Sequence, residues 1–159
     1  MKARITLGAI GAMLVASLSA HGNDKFVVVD KTNQELRGYQ SGLLVFQTRI
    51  STGRPGRETP SGVYRVQSKS LMHYSTLYEN SPMPYSVQIS GNYFIHGFDL
   101  VPNFPASHGC IRVPLTGENP AREFYSWVNE GTKVVVAGHW PGLPPKKTSL
   151  FRRLFSMAD

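Results

Sequence analysis

Phe94-Ile95-His96-Gly97 and Ser107-His108-Gly109-Cys110-Ile111-Arg112-Val113, whose cysteine lies fourteen residues on from His96, organise this chain. Phe94 to His96 closes an extended run, so an imidazole at its end is held on rigid backbone. A polar, Pro-containing loop over 98–108 then returns the chain and sets Cys110 beside it. A thiol becomes a nucleophile only as its thiolate, and an ordinary cysteine holds its proton to a pH of about 8.5. A neighbouring imidazole can take that proton and later return it to a leaving amine. Gly109 allows close approach of backbone and substrate, and the amides of Gly109 and Cys110 are candidate oxyanion donors. His96 and His108 both qualify as the base on residue type alone. A metal reading would give Cys110, His96 and His108 as three ligands, but the spaced cysteine partner of zinc sites is missing.

Upstream of this pair the chain reads as short strands and turns. Phe26 to Val29 is a strand, Asp30 to Asn33 a turn, and Leu43 to Ile50 a second strand, with Leu44, Phe46, Thr48 and Ile50 on the inner face. Residues 51–62 carry loop chemistry: Thr52-Gly53-Arg54-Pro55-Gly56, then Thr59-Pro60-Ser61-Gly62. Gly62 to Val66 resumes extended structure. Lys69 to Pro84, with His73, Tyr74 and Tyr78, reads as a long irregular segment that could line a cleft. Tyr85 to Ile89 and Asn92 to His96 form a hairpin about Ser90-Gly91.

Downstream the sequence predicts one helix. Asn119 suits the N-cap and Pro120 the first turn. Ala121, Phe124, Trp127 and Val128 share a face, and Gly131 is a terminator. Thr132 to Ala137 is the last strand. These elements predict a mainly β fold, a mixed-sheet sandwich-like or barrel-like domain over 25–138 with one packed α-helix. Its core would draw on Val27, Val29, Phe46, Val63, Ile95, Phe124, Trp127 and Val134 to Val136.

The two ends read differently. Met1, Lys2 and Arg4 precede an apolar run, Ile5 to Leu18, and small residues Ser17, Ser19 and Ala20 follow. That is the pattern of a secretory signal peptide over 1–20. After a Pro/Gly linker, the tail of segment 139–159 places Lys146, Lys147, Arg152 and Arg153 around Leu150, Phe151, Leu154 and Phe155. Such a basic amphipathic tail either touches a membrane surface or packs on the domain.

The net charge is +7, and without Lys2 and Arg4 the remainder has 15 basic and 10 acidic residues, +5. An exported, basic chain suits an anionic partner such as a cell wall, and no nucleic-acid motif is present. Exported proteins that use cysteine structurally use it in pairs, so a lone cysteine flanked by this chemistry points to reactivity.

The combination of His96-Gly97 with Ser107-His108-Gly109-Cys110-Ile111-Arg112-Val113 resembles the signature of the L,D-transpeptidase catalytic domain, the YkuD-type cysteine transpeptidases of bacterial peptidoglycan. Ser51-Thr52-Gly53 with Thr59-Pro60-Ser61-Gly62-Val63-Tyr64, and Met83-Pro84-Tyr85-Ser86, are similar to further blocks of that family. The resemblance implies Cys110 as nucleophile and His96 as the proton-transferring residue, oriented by the Gly97 carbonyl. It implies supporting or oxyanion roles for Ser107, His108 and Gly109. The planar fork of Arg112 could pair with a substrate carboxylate or equally bond a loop carbonyl, and Tyr85 is a candidate substrate contact. The substrate would be a peptidoglycan stem tetrapeptide, which loses D-alanine through a thioester. An amine acceptor would resolve the thioester, giving a 3-3 crosslink or attachment to an envelope protein. Water as acceptor would give an L,D-carboxypeptidase or an amidase-like hydrolase that cuts existing crosslinks or protein attachments, and a silent site would leave a wall-binding module. The resemblance implies no cofactor and no metal, and a location in the periplasm or cell envelope.

Overall fold

The computed structural model describes residues 24–142; the expected signal segment and the basic amphipathic tail lie outside the described residues. Nine strands and one helix follow in the order β1 (Lys25–Asp30), β2 (Glu35–Gln40), β3 (Leu43–Arg49), β4 (Gly62–Arg65), β5 (Ser68–Tyr74), β6 (Pro82–Ser90), β7 (Tyr93–Phe98), β8 (Ile111–Pro114), α1 (Pro120–Trp127) and β9 (Lys133–Ala137). They build two mixed sheets, one ordered β3-β2-β1-β9-β4 and the other β5-β6-β7-β8. Each sheet holds one parallel pair, β1 with β9 and β7 with β8, among antiparallel neighbours. The fold is mainly β with one packed helix.

Burial follows the period-2 alternation of strands. Val27 and Val29 of β1 and Val134 and Val136 of β9 point inward, with Leu36 of β2 beside them. Val87, Ile89, Ile95, Ile111 and Val113 complete the core from the second sheet. The helix lays Ala121 and Phe124 against this sheet, with Val128 buried just past its end. The Phe124 ring meets Phe46 at 5.8 Å and Trp127 at 6.4 Å. Asn119 caps the helix, its side-chain oxygen accepting from Arg122 N at 3.1 Å.

Four expectations are corrected. Val63 is 68% exposed, because β4 turns Tyr64 inward and Val63 outward. Leu44 is also exposed: the register of β2 with β3 shifts at Gly38/Tyr39, skipping Val45, so Leu44 is out of phase with the inward Phe46. The segment 69–84 is not irregular but mostly paired, β5 running antiparallel to β6 from Ser68↔Gln88 to Tyr74↔Pro82. The helix stops at Trp127, with Val128 in extended conformation as its C-cap, so Gly131 serves the following turn rather than the helix end.

A seam joins the two sheets next to the chemistry-bearing loop. Past β3, Ser51 pairs with Arg112 of β8, Ser51 N–H donating to Arg112 O at 3.0 Å and Arg112 N–H to Ser51 O at 2.9 Å. Gly53 bridges to Ser107, and Arg54 N–H donates to Ser107 O at 3.0 Å.

Candidate active site

The parallel register of β7 and β8 sets the site. Ile95 pairs with Ile111 and His96 with Arg112. Alternation sends Ile95 and Ile111 into the core and His96 and Arg112 to the opposite face. Cys110 precedes Ile111 and emerges on the His96 side. His96, Cys110, Arg112 and His108 all line one cavity of about 180 Å³, together with Phe94, Met83 and the 75–81 turn that carries Tyr78.

His96 is 6% exposed, and its Nδ1 lies 2.9 Å from Gly97 O. A carbonyl offers only lone pairs, so Nδ1 carries the proton and donates, leaving the Nε2 lone pair to accept another. Burial pushes the His96 pKa down to about 4; the Gly97 bond pulls the other way, and Arg112 and His73 add to the depression. Gly97 sits in close packing: a Cβ there would stand 2.5 Å from Leu115 Cδ2 and 3.2 Å from Ala121 Cβ, so the Leu115 side chain would have to move aside.

Cys110 is half-buried, and burial pushes its thiol up, against smaller pulls from the Phe94 backbone and Arg112. Its Sγ lies 3.5 Å from Asn92 O, a contact in which the thiol donates. Burial thus works against the charged form of both groups.

The backbone before Cys110 is held from two sides. Ser107, 1% exposed, donates through Oγ to Cys110 O at 2.5 Å and accepts from Gly109 N–H at 3.0 Å. The Gly109 amide is thus turned inward, which corrects its reading as an oxyanion donor. Gly109 has φ +127°, a conformation that side-chain-bearing residues rarely adopt. Its carbonyl accepts from Thr59 Oγ1 at 2.7 Å, and that same hydroxyl accepts from Gly53 N–H at 2.9 Å. Gln34, 2% exposed, braces the segment one step further out: its Oε1 accepts from Thr52 N–H at 2.8 Å and its Nε2 donates to Lys31 O at 2.7 Å. Sequence reasoning quoted Thr59 as loop chemistry and within a family-like block, gave it no role, and missed Gln34. A lone amide side chain inside a turn region was the available signal.

The other expected contacts are placed as follows. His108 is exposed and stacks on Tyr78 at 4.7 Å; the little burial it has and the Arg54, Arg112 and Arg57 guanidiniums hold its pKa below the ordinary range. The guanidinium of Arg112 lies 4.0 Å over the Phe98 ring and makes no ion pair with a carboxylate among the described residues. Tyr85 does not reach the cavity: its φ of +53° sends the ring to Tyr125, 5.9 Å away at the edge of the core. His73 stacks on Phe94 at 4.7 Å within the cavity wall. Among the described residues no three His, Cys, Asp or Glu side chains gather as metal ligands.

Residues 24–136 match the family described as the L,D-transpeptidase catalytic domain, YkuD. The chain belongs to that family. Its fold is similar to that of an L,D-transpeptidase from Stackebrandtia nassauensis, with 27% identity over 76% of this chain and 58% of that one and a TM-score of 0.68. An Enterococcus faecium L,D-transpeptidase mutant is 29% identical over 72% of this chain and 50% of that one, with a TM-score of 0.62. A Mycobacterium tuberculosis L,D-transpeptidase, at 22% identity over 73% of this chain and 58% of that one, shares the fold with a TM-score of 0.65. This chain thus spans between half and three fifths of the length of these solved relatives. Comparison with curated protein sequences found no match.

Proposed function

We propose that this protein is a peptidoglycan L,D-transpeptidase that works through Cys110 and His96. The observation that carries the reading is the delivery of both side chains, His96 from β7 and Cys110 from the residue just before the parallel β8, into one cavity. The stem tetrapeptide enters with the carbonyl between its third and fourth residues over Cys110. His96 Nε2 takes the thiol proton as sulfur bonds to that carbonyl carbon. The resulting oxyanion collapses, the C–N bond breaks, and the His96 proton leaves with the D-alanine amine. The product is a thioester on Cys110. An acceptor amine, from a second stem or an envelope protein, gives its proton to His96 and attacks the thioester; sulfur leaves and recovers the proton.

Burial that disfavours charge on both groups fits this order of events, in which proton transfer accompanies attack instead of preceding it. Arg112, a guanidinium on the cavity wall, is suited to a substrate carboxylate by its planar fork. The chemistry described needs no cofactor. The site of action is the wall outside the cytoplasm, reached by export through the N-terminal signal segment, and the basic tail of 139–159 supplies surface contact.

Mass spectrometry of defined tetrapeptide muropeptides incubated with the protein tests this. A crosslinked dimer with loss of D-alanine, abolished in Cys110→Ala, is the expected result. Tripeptide without dimer at high acceptor concentration would reassign the protein as an L,D-carboxypeptidase. Tetrapeptides, crosslinked stems and protein-linked stems all left intact would sink the catalytic reading and leave a wall-binding module.

A further inference from the structure

We propose that Thr59 is a positioning residue that aims the Cys110 N–H at the oxyanion of the acyl-transfer step, an inference that rests on Cys110 acting as the acyl acceptor. The argument runs through one peptide plane. The Gly109–Cys110 bond is trans, as are all peptide bonds among the described residues, so the Gly109 C=O and the Cys110 N–H point in opposite directions. Thr59 Oγ1 donates to Gly109 O at 2.7 Å and so fixes one end of that plane on the interior side. The Cys110 N–H is thereby turned away from Thr59, outward, on the residue whose sulfur attacks.

Three features make the anchor rigid. Thr59 is 1% exposed, and its hydroxyl has its own orientation set by Gly53 N–H at 2.9 Å. Gly53 permits this approach, because a Cβ there would stand 2.0 Å from Arg57 O and 2.7 Å from Thr59 N. Ser107 Oγ meanwhile takes the Gly109 N–H, so the preceding amide is committed inward and the next one is the amide left to face substrate. Gly109 at φ +127° is the hinge that lets the two planes face opposite ways. An oxyanion donor works by being held before charge develops, and losing one costs about 100- to 1,000-fold in rate. Loosening the plane behind a donor should cost part of that, about 10- to 100-fold.

Two reactions of Cys110 separate positioning from mere loop integrity. Alkylation by iodoacetamide is displacement at a saturated carbon and develops no oxyanion. Acetylation by p-nitrophenyl acetate passes through a tetrahedral oxyanion, forms the C–S bond and releases p-nitrophenolate. Both are measured on the full chain, for the native protein, Thr59→Val and Thr59→Ser, with Thr59→Ala replacing Thr59→Val should that variant not fold. The proposal expects the hydroxyl-free variant to lose about 10- to 100-fold in acetylation, with alkylation within about twofold of native, and Thr59→Ser to regain most of the loss. Equal losses in both reactions, unchanged acetylation, or a serine variant as slow as the hydroxyl-free one would each overturn it. A native protein that takes no acetyl group would overturn both this proposal and the acyl-transfer reading. Acetylation of native protein that leaves every peptidoglycan substrate intact would remove the transpeptidase assignment and leave the Thr59 result standing.

Discussion

Titrating the reactivity of Cys110 puts the electrostatics of the site to a quantitative test. Burial holds His96 down at about 4 and lifts the Cys110 thiol above its ordinary range. An ordinary thiol is only about 3% thiolate at pH 7, and one pushed up by burial holds less. The chain contains a single cysteine, so the rate of iodoacetamide incorporation reports this one group. Between pH 6 and 8 the rate should climb about tenfold per unit with no plateau. His96→Asn should keep that slope, because a neutral imidazole contributes no charge to hold the thiolate. A plateau with its midpoint below pH 7, lost in His96→Asn, would show a preformed imidazolium–thiolate pair. That result would refute the reasoning that burial dominates both groups.

Other expectations follow from individual contacts. His96 has a folded pKa below its unfolded value, so the unfolded chain binds the proton more tightly: the associated stability is complete above about pH 6.5 and is lost as pH falls toward 4. Urea unfolding at pH 7 and pH 4.5 should differ through this group by up to about 3 kcal/mol, a difference absent in His96→Gln. Gly109→Ala places a Cβ 3.0 Å from Tyr93 Cε1 at φ +127° and should lower stability by about 2 kcal/mol in denaturant titration. Gln34→Leu leaves the buried Thr52 N–H without its acceptor and should cost about 1–3 kcal/mol by the same measurement. Phe124→Ala removes the largest fully buried side chain and should cost about 3–5 kcal/mol, read as the shift in thermal unfolding.

Local signals in the sequence translated well where the physics is local. Asn119-Pro120 fixes a helix start through one side chain and one ring, and β1 and β9 are β-branched runs whose inner faces need no knowledge of partners. The strand β2 escaped notice because Glu-Leu-Arg-Gly-Tyr-Gln carries only one aliphatic side chain; its second buried position is Gly38, where the Trp127 indole lies 2.9 Å from the place a Cβ would occupy. That glycine makes sense only once the helix is packed on the sheet. Likewise β5 is an edge strand with Leu71, Met72 and Tyr74 exposed, so no face of it reads as inner. Val63 shows the cost of one wrong parity: with a period of two, a single-residue error exchanges core for solvent. At the site, residue types and spacing named Cys110 and His96 as candidates. The Gly109 amide and the Tyr85 ring were misplaced because their directions depend on Ser107 Oγ and on a left-handed backbone at Tyr85.

The seam between the sheets has a mechanical meaning. Strand β8 would be an open edge of its sheet if Ser51 did not pair with Arg112, and the same short segment, through Gly53 and Arg54, grips Ser107. One strip of chain leaving the first sheet therefore acts as a clasp on the second, closed over the nucleophile's own loop. Fraying at the active site cannot proceed as a private event of that loop; it must part the two layers of the domain. The amides of Ser51, Arg54, Ser107 and Arg112 then belong to one cooperative unit, opening together in hydrogen exchange, and the reactive loop inherits the lifetime of the whole sandwich.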